Sequence, residues 1–334
     1  SMSYWMEEYH VDGFRVDLMG IHDIETMNQV QRRLSAINPN VLLYGEGWVA
    51  GDSPLDESLR ALKHNTSALE DIAVFSDEFR DGLKGHWNTH SDRGFITGKA
   101  GQKENLKFGL VGGVLHSDIQ YDQVNYTDSP WTDKPSQMVS YISCHDGMTL
   151  ADKLRYSYPG LSDAQYLAKQ KLAATFILTS QGVPFLHAGF EFLRSKYFID
   201  NSFESSDTIN AIDWSLKAKN LDMVAYTQAL ISMRNEHMLF KLGDRELMET
   251  TVSFPETNDE LLLVYQIDGT DLKDQWKESL ILFNGDLQTK NYQLPEGEWY
   301  YEVRSGNLES GTRLDKLQIE IASSSASILY QLHE

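Results

Sequence analysis

The chain has 334 residues, 41% of them hydrophobic and 23% charged, which is typical of a globular protein with about two domains. Its 29 basic and 49 acidic residues give a net charge of −20, which argues against a nucleic-acid partner and against an anionic membrane surface. No apolar run is long enough to predict a membrane helix. The one cysteine, Cys144, rules out an internal disulfide. It favours a reducing, cytoplasmic location, with secretion or the cell surface left open.

The first 242 residues alternate between strand and helix patterns. Strands are predicted at 11–17, 41–44, 72–75, 138–142 and 183–187, and helices at 23–37, 164–179 and 221–237. The strand at 41–44 is wholly apolar, as in a strand buried on both faces of a parallel sheet. Residues 83–135 are rich in Gly, Asn, Asp and Ser, which predicts a long irregular excursion. The order of elements predicts an α/β fold with five parallel strands.

From residue 243 to 334 the pattern changes to strands without helices. The strands are predicted at 261–265, 279–283, 299–303, 317–321 and 326–330. Turn clusters such as 284–286 and 295–297 separate them. This spacing predicts an antiparallel β-sandwich domain.

Three carboxylates, Asp17, Glu46 and Asp146, lie at or just past the ends of predicted strands. Two opposed carboxyl groups are the minimal machinery for cutting a glycosidic bond. In a parallel α/β barrel all strands end at one face, so acids at several strand ends converge there. The pattern therefore predicts a glycosidase cleft.

Arg15 precedes Asp17 by two residues, so both side chains leave the strand on the same side. A guanidinium there would lower the pKa of Asp17, as a nucleophile needs. The alternative is an ion pair at the surface. Glu46 lies between two glycines and precedes Trp48. Small neighbours would let a sugar approach, and an aromatic neighbour would favour a protonated acid; the alternative is a plain turn with Trp48 in the core.

His145 and Asp146 could place an imidazole on a ring hydroxyl and a carboxylate against developing positive charge. The alternative is that Asp146 caps a helix and His145 is a core residue. No His, Cys and Asp cluster has the spacing of a metal site, and no Gly-rich loop suited to phosphate occurs.

Four strings, in this order, resemble type I pullulanases, debranching enzymes of the α-amylase superfamily. The strings are GFRVDLMGIHD at 13–23, YGEGW at 44–48, YISCHDGMTL at 141–150 and NSFESSDTINAIDW at 201–214. The resemblance spans nearly the whole chain. It implies a partial (β/α)8 TIM barrel, strands four to eight, in residues 1–242, followed by the sandwich in 243–334.

The resemblance also implies roles for single residues. Asp17 would be the nucleophile, Glu46 the general acid/base and Asp146 the stabiliser of the transition state. Substrate-binding residues would be Arg15 and His145 at the attacked sugar, Trp48 on the leaving side, and Asn201 and Asn210 at further glucose units. A retaining mechanism would place the Asp17 and Glu46 carboxyl groups about 5–5.5 Å apart.

The implied activity is cleavage of α-1,6-glucosidic bonds in pullulan, glycogen or amylopectin-derived dextrins. No cofactor is required, and a structural calcium ion is not predicted. Isoamylase, branching-enzyme and amylopullulanase activities stay open, as does a non-catalytic glucan-binding role. Val49 and Ala50 replace the Asp-aromatic pair that the resemblance leads one to expect after Trp48, which puts contacts on the leaving side in doubt.

The motif of the third barrel strand that such enzymes carry does not occur here. The chain therefore resembles the C-terminal portion of a pullulanase, beginning just before barrel strand four. Five parallel strands cannot close a barrel, so we expect open edges at 11–17 and 183–187. We expect an N-terminal fragment of the same enzyme, or a second copy, to cover them, and little activity on pullulan from the chain alone.

Overall fold

The computed structural model describes residues 1–333. Its N-terminal part contains a five-stranded parallel sheet in the order β1-β2-β3-β4-β5. The strands are β1 (Gly13–Val16), β2 (Leu42–Gly45), β3 (Ile72–Phe75), β4 (Met138–Ser140) and β5 (Val183–Pro184). This confirms five parallel strands, and the sheet corresponds to part of a barrel. Within the described residues, β1 and β5 are its two edges.

Helices follow most of these strands. They are α1 (Met2–Tyr9), α2 (Ile24–Ser35), α3 (Asp77–Lys84), α4 (Lys103–Leu110), α5 (Leu150–Ser157), α6 (Asp163–Thr179), α7 (Asp207–Asn210), α8 (Ser215–Lys219), α9 (Leu221–Glu236) and α10 (Arg245–Thr251). Side-chain caps fix two of the predicted helix starts. Asp23 accepts a hydrogen bond from Thr26 N at 2.8 Å at the start of α2. Ser162 and Gln165 form a capping box at the start of α6.

One face of β2 is not covered as predicted. Leu43 is fully buried and belongs to the same core as Met27 of α2, but Leu42 is 44% exposed. Successive residues of a strand point to opposite faces, so α2 covers one face of β2 while the other stays open at Leu42. The prediction that 41–44 is buried on both faces is therefore wrong. The excursion at 83–135 is irregular except for α4 and short 3₁₀ turns.

The C-terminal part contains two antiparallel sheets. The larger has the order β11-β10-β13-β8-β7-β6 and the smaller pairs β12 with β9. The strands are β6 (Val252–Ser253), β7 (Leu262–Asp268), β8 (Trp276–Asn284), β9 (Lys290–Gln293), β10 (Tyr300–Arg304), β11 (Asn307–Arg313), β12 (Gln318–Ile321) and β13 (Ser325–Leu332). The predicted change to antiparallel strands is confirmed, but the part is not free of helices, because α10 (Arg245–Thr251) lies at its start. Strands β6, β9 and β11 were not predicted, because they are short or mostly exposed and lack an apolar alternation.

The two parts share one core at their junction. Phe176 of α6 stacks on Phe283 of β8 with ring centroids 3.8 Å apart. The buried Lys169 ammonium donates to Ser324 Oγ at 2.8 Å, and Gln181 Nε2 donates to the Tyr265 hydroxyl at 2.8 Å. The division at residue 242 stays a prediction, and apolar packing is continuous across it.

No helix within residues 1–333 is long and apolar enough to cross a membrane. Among these residues, no group of three or more His, Cys, Asp or Glu side chains is placed to hold a metal ion.

Candidate active site

Arg15 joins the first two acids at the ends of neighbouring strands. In the parallel register Val16 of β1 pairs with Gly45 of β2, so Asp17 and Glu46 leave the sheet side by side. Arg15 Nη1 donates to Asp17 Oδ1 at 2.7 Å, and Nη2 donates to Glu46 Oε1. The i, i+2 spacing of Arg15 and Asp17 thus gives the contact that the sequence predicts. One guanidinium orients both carboxylates.

The Glu46 carboxyl group is buried and held on both oxygens, whereas that of Asp17 is 71% exposed. Leu18 N donates to Glu46 Oε2 at 2.9 Å. Leu18 has a φ of +43°, an unusual value for a side chain with a Cβ. This backbone turn directs the Leu18 N–H at Glu46. Such locally strained residues cluster at functional sites.

The glycines beside Glu46 have a different purpose from the one expected. A Cβ on Gly45 would lie 2.7 Å from Val16 O, and one on Gly47 would lie 2.6 Å from Lys63 N. Both positions therefore require glycine because the protein's own backbone packs there. The expectation that these glycines make room for a sugar is wrong.

His145 and Asp146 lie in the loop between β4 and α5. Their side chains are 63% and 65% exposed, with His145 Nε2 3.5 Å from Asp146 Oδ1. The buried Lys196 ammonium donates to His145 O at 2.8 Å and fixes the loop. The cap of α5 is Thr149, whose Oγ1 accepts from Asp152 N at 3.2 Å. Helix capping by Asp146, the alternative left open by the sequence, is therefore wrong.

Glu46, His145 and Asp146 face one cavity of about 610 Å³. This volume lies in the usual range for small-molecule sites, about 300–1,000 Å³. Other lining residues include Arg15, Trp48, Cys144 and Asn201. Asp17 is not on the cavity lining, and its link to the cavity is its hydrogen bond with the lining residue Arg15. Burial raises the pKa of the Cys144 thiol, which makes this lone cysteine a poor nucleophile.

The remaining predicted residues divide between the cavity and the surrounding loop. Trp48 is half-buried and lines the cavity from one side. Asn201 also lines it. The Asn210 side chain is used within the protein, because its Nδ2 donates to Ser202 O at 2.7 Å and Ser205 O at 3.0 Å. Asn210 therefore orders the loop that carries Asn201, and its contact with glucose stays a prediction.

One wall of the cavity, formed by α3, was not predicted from the sequence. Asp77, Arg80 and Lys84, at positions i, i+3 and i+7, all line the cavity. This spacing places them on one helix face and was readable from the sequence. An aromatic floor of the cavity was not predicted either. It consists of rings that meet edge to face with centroids 4.8–6.4 Å apart, those of Tyr44, Phe75, Tyr141 and Phe185. Each of these residues lies in or directly after a different strand of the sheet, so no local pattern links them.

Comparison with known proteins identifies relatives of the whole described fold. The family model "Pullulanase, all-beta domain" matches residues 249–307. The curated pullulanase of Bacillus subtilis is 34% identical over 292 residues, which cover 87% of this chain and 39% of that protein. The chain belongs to the pullulanase family.

Solved structures give the same result. The chain superposes on a type I pullulanase of Bacillus subtilis, solved with maltose, with a TM-score of 0.91 and 32% identity, over 99% of this chain and 45% of that one. It also superposes on a pullulanase of Paenibacillus barengoltzii, solved with maltohexaose and α-cyclodextrin. The TM-score is 0.89 and the identity 34%, over 99% of this chain and 50% of that one. The chain thus spans half or less of the length of these relatives.

Proposed function

We propose that this chain carries the acid residues of a debranching glycosidase acting on α-1,6-glucosidic bonds of pullulan, glycogen or amylopectin-derived dextrins. The observation that carries the proposal is the contact of Arg15 with both Asp17 and Glu46, where two parallel strands end. His145 and Asp146 face the same cavity as Glu46. Family membership and the glucans in the relatives' structures support the substrate class.

The proposed reaction is a retaining double displacement. An Asp17 carboxylate oxygen attacks the anomeric carbon while the bond to the leaving oxygen breaks and Glu46 gives that oxygen its proton. Asp146 stabilises the positive charge that develops on the sugar ring. Water then attacks the glucosyl-enzyme, Glu46 takes its proton and Asp17 leaves. Both Glu46 oxygens accept hydrogen bonds in the structure, one from Arg15 and one from Leu18 N. Because one of these oxygens must carry the proton that is transferred, the proposed first step requires Arg15 to release Glu46 and bond only Asp17.

The test is maltotriose release from pullulan by the purified chain, compared with its Asp17→Asn variant. We expect slow release of maltotriose as the only product, which marks α-1,6 cleavage. The variant should lose this release by at least about 10³-fold, as removal of a nucleophile does, and still bind pullulan in affinity electrophoresis. A different product would indicate another activity of the superfamily.

A non-catalytic glucan-binding role is the second candidate. It is favoured by the Asp17 side chain, which lies outside the cavity lining and is 71% exposed. Pullulan binding without any maltotriose release would support this role. If the chain neither binds pullulan nor releases maltotriose, both proposals are refuted.

A further inference from the structure

Lys84 is the last residue of α3 and lies on the wall of the cavity. The residue is only 5% exposed. Its helix neighbour Arg80 is held by three protein groups: it contacts Asp81 at 2.6 Å, the Tyr141 hydroxyl at 2.7 Å and Asp77 at 3.0 Å. Within residues 1–333 the Lys84 ammonium has no hydrogen-bond or ion-pair partner, and its nitrogen is not among the polar atoms closed off from solvent. The ammonium therefore opens into the cavity, where no described protein group accepts its hydrogen bonds.

Other buried lysines of this chain show how the protein treats such a group. Lys153 Nζ donates to the carbonyls of His86, Thr89 and His90 at 2.8–3.3 Å. Lys169 Nζ donates to Ile96 O at 2.9 Å and to a serine hydroxyl. Both are satisfied inside the protein, whereas Lys84 is not. The Lys84 side chain is buried but its nitrogen opens to the cavity, so its hydrogen bonds go to whatever occupies the cavity, water or a ligand.

Burial and the charges around Lys84 bring the pKa of its ammonium close to neutral pH. Burial first, and then the positive charges of Arg80 and Lys153, lower its pKa to about 8. Cys144 and Asp81 act in the opposite direction. The group is therefore mostly charged at pH 7, where it is a strong hydrogen-bond donor at the cavity wall.

We propose that Lys84 is a substrate-contacting residue, whose ammonium donates hydrogen bonds to hydroxyl oxygens of a glucose unit bound in the cavity. The inference rests on the proposed function, since it takes an α-glucan as the ligand. Sugar hydroxyls accept hydrogen bonds, and those given by a charged donor are about twice as strong as neutral ones. A bound glucose unit would therefore accept the hydrogen bonds of the Lys84 ammonium that no described protein group accepts.

The first experiment is calorimetric titration of the full chain with maltotriose at pH 7, for the parent and for Lys84→Met. Methionine fills the same space without the charge, so the fold should survive. We expect the dissociation constant to rise about ten-fold, as for the loss of a charged hydrogen bond. The matched control is Lys134→Met, a surface lysine that is 56% exposed and paired with Asp71, which should bind like the parent. An unchanged constant in Lys84→Met overturns the inference.

A second measurement uses the parent chain and does not depend on a folded variant. Reductive methylation at pH 8.5, read by peptide mass spectrometry, should label Lys84, and saturating maltotriose should slow that label but not the label on Lys134. Equal labelling of Lys84 with and without maltotriose overturns the inference. If the parent binds no maltotriose at all, both this inference and the proposed function fail. If the parent binds and Lys84→Met binds equally well, only this inference fails.

Discussion

At the scale of single residues, the site depends on how charges are partnered. Arg15 holds two acids, Arg80 is held by three groups, and Lys84 has no hydrogen-bond or ion-pair partner within residues 1–333. The residue types are readable from the sequence, but their partners are not. Pairing decides which charges are structural and which are free to meet a substrate.

The buried Lys169 gives a prediction about pH and stability. Burial lowers its pKa in the folded protein to about 8, below the ordinary value of 10.5. Between these values the unfolded chain binds more protons, so the free energy of unfolding rises with pH. We expect Lys169 to contribute a rise of about 1–2 kcal/mol between pH 7.5 and 9.5.

Urea titrations of the parent and of Lys169→Met across this pH range measure that contribution. The variant should show a flatter rise, and the control Lys134→Met should follow the parent. An identical rise in Lys169→Met and the parent would show that the ammonium is not desolvated in the fold.

At the scale of elements, the turn after β2 depends on glycine at residue 47. A Cβ there would meet Lys63 N at 2.6 Å and Val74 Cγ1 at 2.7 Å. We predict that Gly47→Ala lowers the free energy of unfolding by about 1–3 kcal/mol, as overpacking does. The control is Gly243→Ala, where no atom lies within 4 Å of the added Cβ. Equal urea midpoints for the two variants would contradict the prediction.

Strands and helices were predicted well where the apolar pattern of a single segment is enough to identify them. Strand β3 has the predicted bounds, and α6 and α9 begin and end within one residue of theirs. Strand β11 was missed because its residues are mostly exposed and polar. Its pairing with β10 and not its own pattern makes it a strand. The wall of α3 was missed although its spacing was readable, because only the tertiary fold shows which helix face meets the cavity.

At the scale of the whole molecule, the shared core predicts a single unfolding transition. Phe176 and Phe283 stack across the junction of the two parts. We expect Phe283→Ala to cost about 3–5 kcal/mol and to lower the stability of both parts together. Circular dichroism at 222 nm and near-ultraviolet signals should give coincident melting curves. Two separate transitions in the parent chain would contradict one cooperative core.

The open sheet predicts association. Strand β1 pairs only with β2 among the described residues, and Tyr4, Trp5 and Tyr9 of the preceding helix are 46–59% exposed. Unpaired strand edges and exposed aromatic residues favour pairing with another chain. We propose that this edge is covered in the assembled enzyme, by further barrel strands or by a second copy of the chain.

Gel filtration with mass analysis tests this association. We expect elution above the 38.1 kDa of one chain, or co-purification with another fragment of the same enzyme. A compact monomer at all concentrations would refute the proposal. The exposed β2 residue Leu42 should be shielded from solvent in the assembled form.

The sequence by itself determined the order of strands and helices, the parallel and antiparallel halves, and the four strings that resemble pullulanases. These follow from local periodicity and from short contiguous motifs. Only the tertiary structure decided that Arg15 bridges Asp17 and Glu46 and that Gly45 and Gly47 serve backbone packing. It also decided that Lys84 faces the cavity with no protein partner among residues 1–333. The physical reason is that partnership and burial arise between segments far apart in the chain, where no local pattern records them.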